Sequence, residues 1–101
     1  MVKIWMEASI KWLSHEQGGR QNPMPGNIKY RPIIVFPGIK TDGSWSADIV
    51  TGDLKNGYDA LIDLSFLSPI APFELLIPGA EFELYEGPRL VAKGNILKEK
   101  Q

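Results

Sequence analysis

Apolar residues occupy every second position near the start of the chain, and this alternation predicts a β-strand with one buried face. The positions predicted to face the core are Val2, Ile4, Met6, Ala8, Ile10 and Trp12. The same alternation, or a short apolar run, predicts five further strands over residues 30–36, 44–49, 59–66, 81–85 and 90–97. The predicted inward positions are Ala60, Ile62, Leu64 and Phe66 in the strand over 59–66, and Phe82 and Leu84 in the strand over 81–85. No stretch has the period of an amphipathic helix.

Glycine and proline separate these strands at positions that suit turns. Pro78-Gly79 fits the two central positions of a type II turn, Gly87-Pro88 predicts a tight turn, and residues 52–57 predict another. Residues 14–27 predict a loop of the length that often carries function. We therefore expect an all-β fold, a closed six-stranded antiparallel barrel of Greek-key type, because closure removes exposed strand edges. The predicted organisation is one barrel domain over residues 1–97 and a polar tail over 98–101.

The composition is typical of a single globular domain. The chain has 101 residues, of which 44% are hydrophobic and 23% are charged. It has no cysteine, which excludes disulfides and thiolate metal ligands and suits the cytoplasm, where we expect the protein. No apolar run approaches the roughly 20 residues of a membrane helix, so we expect no membrane association.

The residue types that catalysis needs are scarce. His15 is the single histidine and falls in a polar loop. Asp59 and Asp63 share one strand face and could serve a hydrolase as paired carboxylates, but the alternation predicts that this face is solvated. No phosphate-binding pattern G-x-x-x-x-G-K-[ST] occurs. We expect no enzyme activity, no metal, no cofactor and no nucleotide ligand.

Charge is unevenly distributed along the chain. Residues 1–40 carry six basic and two acidic residues, residues 41–86 one basic and nine acidic, and residues 87–101 four basic and one acidic. If the first and last strands are neighbours in the barrel, their basic residues share a face that could attract a polyanion. The alternative is an ordinary mixed surface.

Two segments at opposite ends of the chain contain short motifs in a distinctive order. Residues 7–20 read EASIKWLSHEQGGR and are followed by Pro23 and by Tyr-Arg-Pro at 30–32. Residues 66–71 read FLSPIA, and Pro78-Gly79 leads into FELYEGPRLVAKGNIL at 82–97. Both segments resemble the C-terminal β-barrel of elongation factor Tu, which has a Glu-Gly-Gly-Arg loop before Tyr-Arg-Pro and a Pro-Ile-Ala turn before a final hairpin.

This resemblance implies a six-stranded antiparallel barrel and a surface that contacts the T-stem backbone of aminoacyl-tRNA. The positions that match this surface are Gly18, Gly19 and Arg20 in the first loop and Glu86, Gly87 and Arg89 in the last hairpin. The chain departs from the family pattern at Gln17, which interrupts the loop motif, and at Pro88, which replaces a glycine. The GTPase domain of the family is absent from this sequence, so GTP hydrolysis is not implied.

Two functions follow as hypotheses. The first is a stand-alone barrel, expected to be a monomer, that binds a protein partner. The alternative is an RNA-binding module, for tRNA in particular, in which Arg20, Lys29, Arg31 and Arg89 contact phosphates. In that module a neighbouring aromatic, Tyr30 or Tyr85, stacks on a base or ribose. Packing of Tyr30 within the barrel is the competing interpretation of that residue.

Overall fold

The computed structural model describes residues 3–18, 28–40, 44–55 and 59–100. Within these ranges the chain forms seven β-strands and two short 3-10 helices, at His15–Gln17 and Phe73–Leu75. The strands are β1 Met6–Trp12, β2 Lys29–Tyr30, β3 Ile33–Val35, β4 Trp45–Lys55, β5 Asp59–Phe66, β6 Glu81–Glu86 and β7 Arg89–Glu99.

Six of these strands close into a barrel. The order around the wall is β4-β3-β6-β7-β1-β5, the pairing of β4 with β5 completes the circle, and every pairing is antiparallel. β6 returns by the 67–80 connection to lie beside β3, which with β4 and β5 gives the order of a Greek key. The predicted all-β, closed, six-stranded barrel is therefore confirmed.

The additional strand arises from a proline. A single strand was predicted over residues 30–36, but Pro32 has no N–H to donate and separates β2 from β3. Both pieces pair with β4. The carbonyl of Pro32 accepts from Ala47 N at 2.8 Å, and the carbonyl of Ile28 accepts from Thr51 N at 3.0 Å. This side of the barrel wall therefore continues across the interruption.

The inward positions predicted for β1 are correct from Met6 onward. Met6, Ala8, Ile10 and Trp12 are all buried, as are the predicted inward residues of β5 and β6. The prediction for Ile4 is wrong, since its exposed fraction is 40%. The strand begins only at Met6, and the Ile4 carbonyl accepts a hydrogen bond from the Ser65 side chain. Val2 lies outside the described residues.

Gly94 provides the space that an aromatic ring fills inside the barrel. It faces inward on β7, paired with Ile10 of β1 and Phe82 of β6. A Cβ at this position would lie 2.5 Å from the Ser9 carbonyl oxygen and 2.7 Å from Phe82 Cζ. The absence of a side chain therefore lets the buried Phe82 ring reach across the core.

Two strands are longer than the sequence pattern predicts. β4 continues to Lys55, although a turn was predicted over 52–57, and a register shift between Thr51 and Leu54 lets its pairing with β5 continue past Gly52. Residues 56–58 lie outside the description. β7 continues to Glu99, so Lys98 and Glu99 belong to the wall rather than to the predicted tail.

Candidate functional site

Most of the predicted site residues lie at one end of the barrel, because the directions of the strands bring them there. β1 ends at Trp12 where β7 begins, and β6 ends at the hairpin that joins it to β7. The first loop leaves from this end, where Leu13 N donates to the Val91 carbonyl at 2.9 Å. We call this the loop end, comprising residues 12–18, 28–30 and 86–89.

Tyr30 connects the first loop to the last hairpin. Its hydroxyl donates a hydrogen bond to a carboxylate oxygen of Glu86. Its ring packs on Trp12, with centroids 5.7 Å apart, and only 9% of the residue is exposed. The competing interpretation of Tyr30, packing within the barrel, agrees with this burial. Tyr30 contributes to the loop end by holding Glu86 rather than by displaying a ring face.

The hairpin residues form a tight turn with exposed corners. Gly87 has a φ of +59° and is followed by Pro88, whose ring fixes a negative φ. This order of signs is that of a type II′ turn, which suits a two-residue hairpin. Arg89 is exposed and pairs in register with Glu86. Pro88 is therefore compatible with the hairpin.

The other predicted site residues are only partly brought together. Gly18 is exposed, with a φ of +89°, while Gly19 and Arg20 lie outside the described residues. Lys29 is exposed on β2. Arg31 is exposed, but its Nε lies 3.7 Å from Asp48. That carboxylate also accepts from Lys3 Nζ at 2.7 Å. The structure thus unites Tyr30, Glu86, Gly87 and Arg89, and it turns Arg31 toward an acid.

Tyr85, which lies on β6, also donates its hydroxyl to a carboxylate. The hydroxyl of Tyr85 lies 3.1 Å from Glu83 Oε1. Burial raises the pKa of Tyr85, and the hydrogen bond to Glu83 and its negative charge raise the pKa further. Loss of the phenolic proton at alkaline pH would remove this hydrogen bond and place two negative charges side by side.

The opposite end of the barrel is closed by aromatic rings. Phe66 at the end of β5 is fully buried and contacts three other rings. Its centroid lies 5.4 Å from Phe73, 6.1 Å from Phe36 and 6.5 Å from Trp45. The 67–80 connection supplies Phe73, so this irregular segment covers the core.

The same connection leaves large apolar side chains exposed. The exposed fractions are 81% for Ile70, 56% for Ile77 and 43% for Leu67, and Ile39 in the facing turn is 51% exposed. We call this surface, formed by residues 36–40 and 67–80, the apolar end. Sequence analysis did not identify it, although its composition was a signal, since Lys40 and Glu74 are the only charged residues in these two segments.

A groove crosses the apolar end between its two segments. It has a volume of about 360 Å³ and is lined by Ile39, Lys40, Trp45, Ile70, Ala71, Pro72, Glu74 and Leu75. Both charged residues of the apolar end therefore lie along the same groove, one on each side. A partner seated here would meet apolar side chains and polar atoms together with one cation and one anion.

In the part of the chain that the structure describes, no cluster of three or more histidine, aspartate or glutamate side chains is arranged to hold a metal ion. None of the described helices has the length and apolarity needed to cross a membrane. No family model matches the sequence.

Proposed function

We propose that this protein is a binding module that docks onto another protein through the apolar end of its barrel. The observation that carries the proposal is the exposure of Ile70, Ile77, Ile39 and Leu67 at one end of the barrel. Large exposed apolar surfaces on small domains mark interaction sites, because leaving them in water opposes stability without any gain in packing.

The charges of the apolar end define the partner's chemistry. The centres of protein interfaces are depleted in charged residues, and this end has only Lys40 and Glu74. Both line the groove that also contains Ile70. The partner is therefore a protein surface that presents an apolar group to the groove, flanked by an acid near Lys40 and a base near Glu74.

The test uses the purified barrel as bait in cell extract, with two matched variants. Ile70→Glu places a charge in the apolar end, whereas Leu61→Glu places one at a residue 45% exposed on the wall of β5. The wild type and Leu61→Glu should retain the same stoichiometric protein, and Ile70→Glu should lose it. With the recovered partner, Ile70→Glu should weaken affinity by about 30-fold or more, since a central interface residue contributes about 2 kcal/mol.

Two outcomes would contradict the proposal. One is the absence of any stoichiometric partner of the wild type. The other is equal loss of binding by Ile70→Glu and Leu61→Glu, with both variants shown to be folded by thermal unfolding. The second outcome would assign binding to general surface hydrophobicity rather than to the apolar end.

RNA binding at the loop end is a second candidate, favoured by the exposure of Arg89 beside the Gly87 turn. This candidate rests on the resemblance to the C-terminal barrel of elongation factor Tu. We propose that the two barrels share a fold. Titration of the labelled protein with bulk tRNA should shift the amides of Gly18, Glu86, Gly87 and Arg89, and moderate salt should weaken the effect. Arg89→Ala should lower the salt slope by about one unit. Absence of shifts at low salt would contradict RNA binding.

A further inference from the structure

Two lysines lie directly opposite each other on the outer wall of the barrel. Lys11 of β1 pairs in register with Lys93 of β7, and both side chains are exposed. Like charges at directly opposed positions of an antiparallel pair are destabilising. The repulsion between Lys11 and Lys93 lowers the stability of the unbound protein. An anionic ligand held between the two ammonium groups would relieve this repulsion.

Neighbouring lysines are neutralised, but this pair is not. Lys98 Nζ lies 3.6 Å from Glu7, and Lys100 Nζ pairs with Asp63. Neither Lys11 nor Lys93 forms an ion pair with a carboxylate of the described residues. Lys98 therefore provides a matched comparison on the same strand as Lys93.

An acid stands opposite each lysine in register, but neither acid forms an ion pair with its lysine. Glu83 stands opposite Lys93 on β6, and its carboxylate accepts the Tyr85 hydroxyl at 3.1 Å. Asp59 stands opposite Lys11 on β5. Both carboxylates lower the positive potential on their own side of the pair, so an anion is favoured between Lys11 and Lys93.

A depression beside the two lysines provides room and further donors. It has a volume of about 410 Å³, and its lining includes Ser9, Lys11, Asp59, Leu61, Lys93 and Asn95. It forms because the outward residues one step along the strands, Ser9 and Asn95, are small. Ser9 Oγ donates to Asn95 Oδ1 at 3.2 Å, which leaves the amide NH₂ of Asn95 as a donor toward a ligand.

We propose that Lys11, Lys93 and Asn95 bind a phosphate group on the barrel wall. Two ammonium groups and an amide donor match the several acceptor oxygens of a phosphate dianion. Exposed Leu61 at the side of the depression offers an apolar contact to whatever carries the phosphate. The site is separate from the apolar end and does not depend on protein binding there.

The probes are inorganic phosphate and phenyl phosphate, titrated into the isotopically labelled full chain at constant pH and ionic strength, with chloride as the reference. Amide shifts should be confined to Ser9, Lys11, Lys93 and Asn95. Tighter binding of phenyl phosphate assigns the site to a phosphate carried by a larger molecule, and equal binding assigns it to free phosphate.

Matched variants test which charges matter. Lys93→Gln and Lys11→Gln should each weaken binding by about fivefold, the effect of losing one exposed ion pair. Lys98→Gln should leave it unchanged, and Asp59→Asn should strengthen it. Phosphate should raise the thermal midpoint of the wild type above that in chloride, and this increase should shrink in Lys93→Gln.

The proposal is overturned if phosphate produces no shifts beyond those of chloride at equal ionic strength. It is equally overturned if Lys98→Gln weakens binding as much as Lys93→Gln, because the effect would then be one of net charge. Since all the substituted side chains are on the outer wall, thermal unfolding in chloride should show that each variant is folded.

Discussion

The two ends of the barrel are stabilised by different chemistry. At the loop end, Tyr30 packs on Trp12 and donates its hydroxyl to Glu86. At the apolar end, Phe66 contacts three aromatic rings, and the covering segment leaves Ile70 exposed. One end therefore joins its segments through a side-chain hydrogen bond to a buried tyrosine, and the other covers its core with packed aromatic rings.

This difference separates stability from recognition. A hydrogen bond satisfies its two partners and leaves little to attract another molecule, whereas apolar contact is non-directional and extends to any apolar surface that arrives. Residues of the apolar end should accordingly divide into those that hold the fold and those available to a partner. The loop end should depend on single polar atoms.

The largest effect is expected from Phe66→Ala. Removal of a fully buried ring that contacts three others leaves a cavity, so the free energy of unfolding should fall by about 3–5 kcal/mol. Urea denaturation measures the change. A loss below about 1 kcal/mol would show that the apolar end adds little to the stability of the core. Its buried residues could then not be said to hold the fold while its exposed residues serve a partner.

Tyr30→Phe should have a smaller effect, at the loop end. The substitution keeps the ring packed on Trp12 and removes the hydroxyl that donates a hydrogen bond to Glu86. Hydrogen bonds to charged groups contribute about 1.5–3 kcal/mol, so the free energy of unfolding should fall by about that amount. The double variant with Glu86→Gln measures the coupling. If the two single effects simply add, the contact does not connect the loop to the hairpin energetically.

Alkaline pH should weaken the barrel through Tyr85. Its pKa in the folded protein is raised above the ordinary value of 10.0, so the folded state retains the phenolic proton to higher pH than the unfolded chain does. This contribution is complete below about pH 10 and is lost as the pH rises through the folded pKa. Denaturation at a series of pH values should show a shallower alkaline decline for Tyr85→Phe than for the wild type. Identical declines would assign the effect to other groups.

The smallest effect on stability is expected from Ile70→Ser. The side chain is 81% exposed, and exposed substitutions usually change the free energy of unfolding by less than about 0.5 kcal/mol. Urea denaturation provides the check, and the comparison with Phe66→Ala is made within the same end of the barrel. A loss of more than about 1 kcal/mol would mean that Ile70 supports the fold and is not reserved for a partner.

Much of the barrel could be predicted because alternation records which face of a strand is buried. The inward residues Ala60, Ile62, Leu64 and Phe66 of β5 are all buried as predicted. Pattern fails where a strand is interrupted without changing its register, as at Pro32, or continues through a bulge, as after Gly52. These strand boundaries are decided by hydrogen bonding between backbones, which the side-chain types in the sequence do not specify.

The candidate surfaces were harder to predict than the strands. In the irregular 67–80 connection, Leu76 is buried and Ile77 is 56% exposed, although the two are adjacent and similar in hydrophobicity. No period applies to such a segment, because the barrel surface that it crosses selects which side chains are covered. Tyr30 was expected either to stack on a ligand or to pack in the barrel, and only its contacts with Trp12 and Glu86 distinguish these roles.

The sequence by itself determined the fold class, the inward rows of the strands and the turns at Pro78-Gly79 and Gly87-Pro88. These properties are local, since they follow from side-chain alternation and from the allowed φ values of glycine and proline. Only the tertiary structure decided that Lys11 faces Lys93 and that the exposed residues of the 36–40 and 67–80 segments share one groove. Those surfaces join residues far apart in the chain, and strand order and closure of the barrel bring them together.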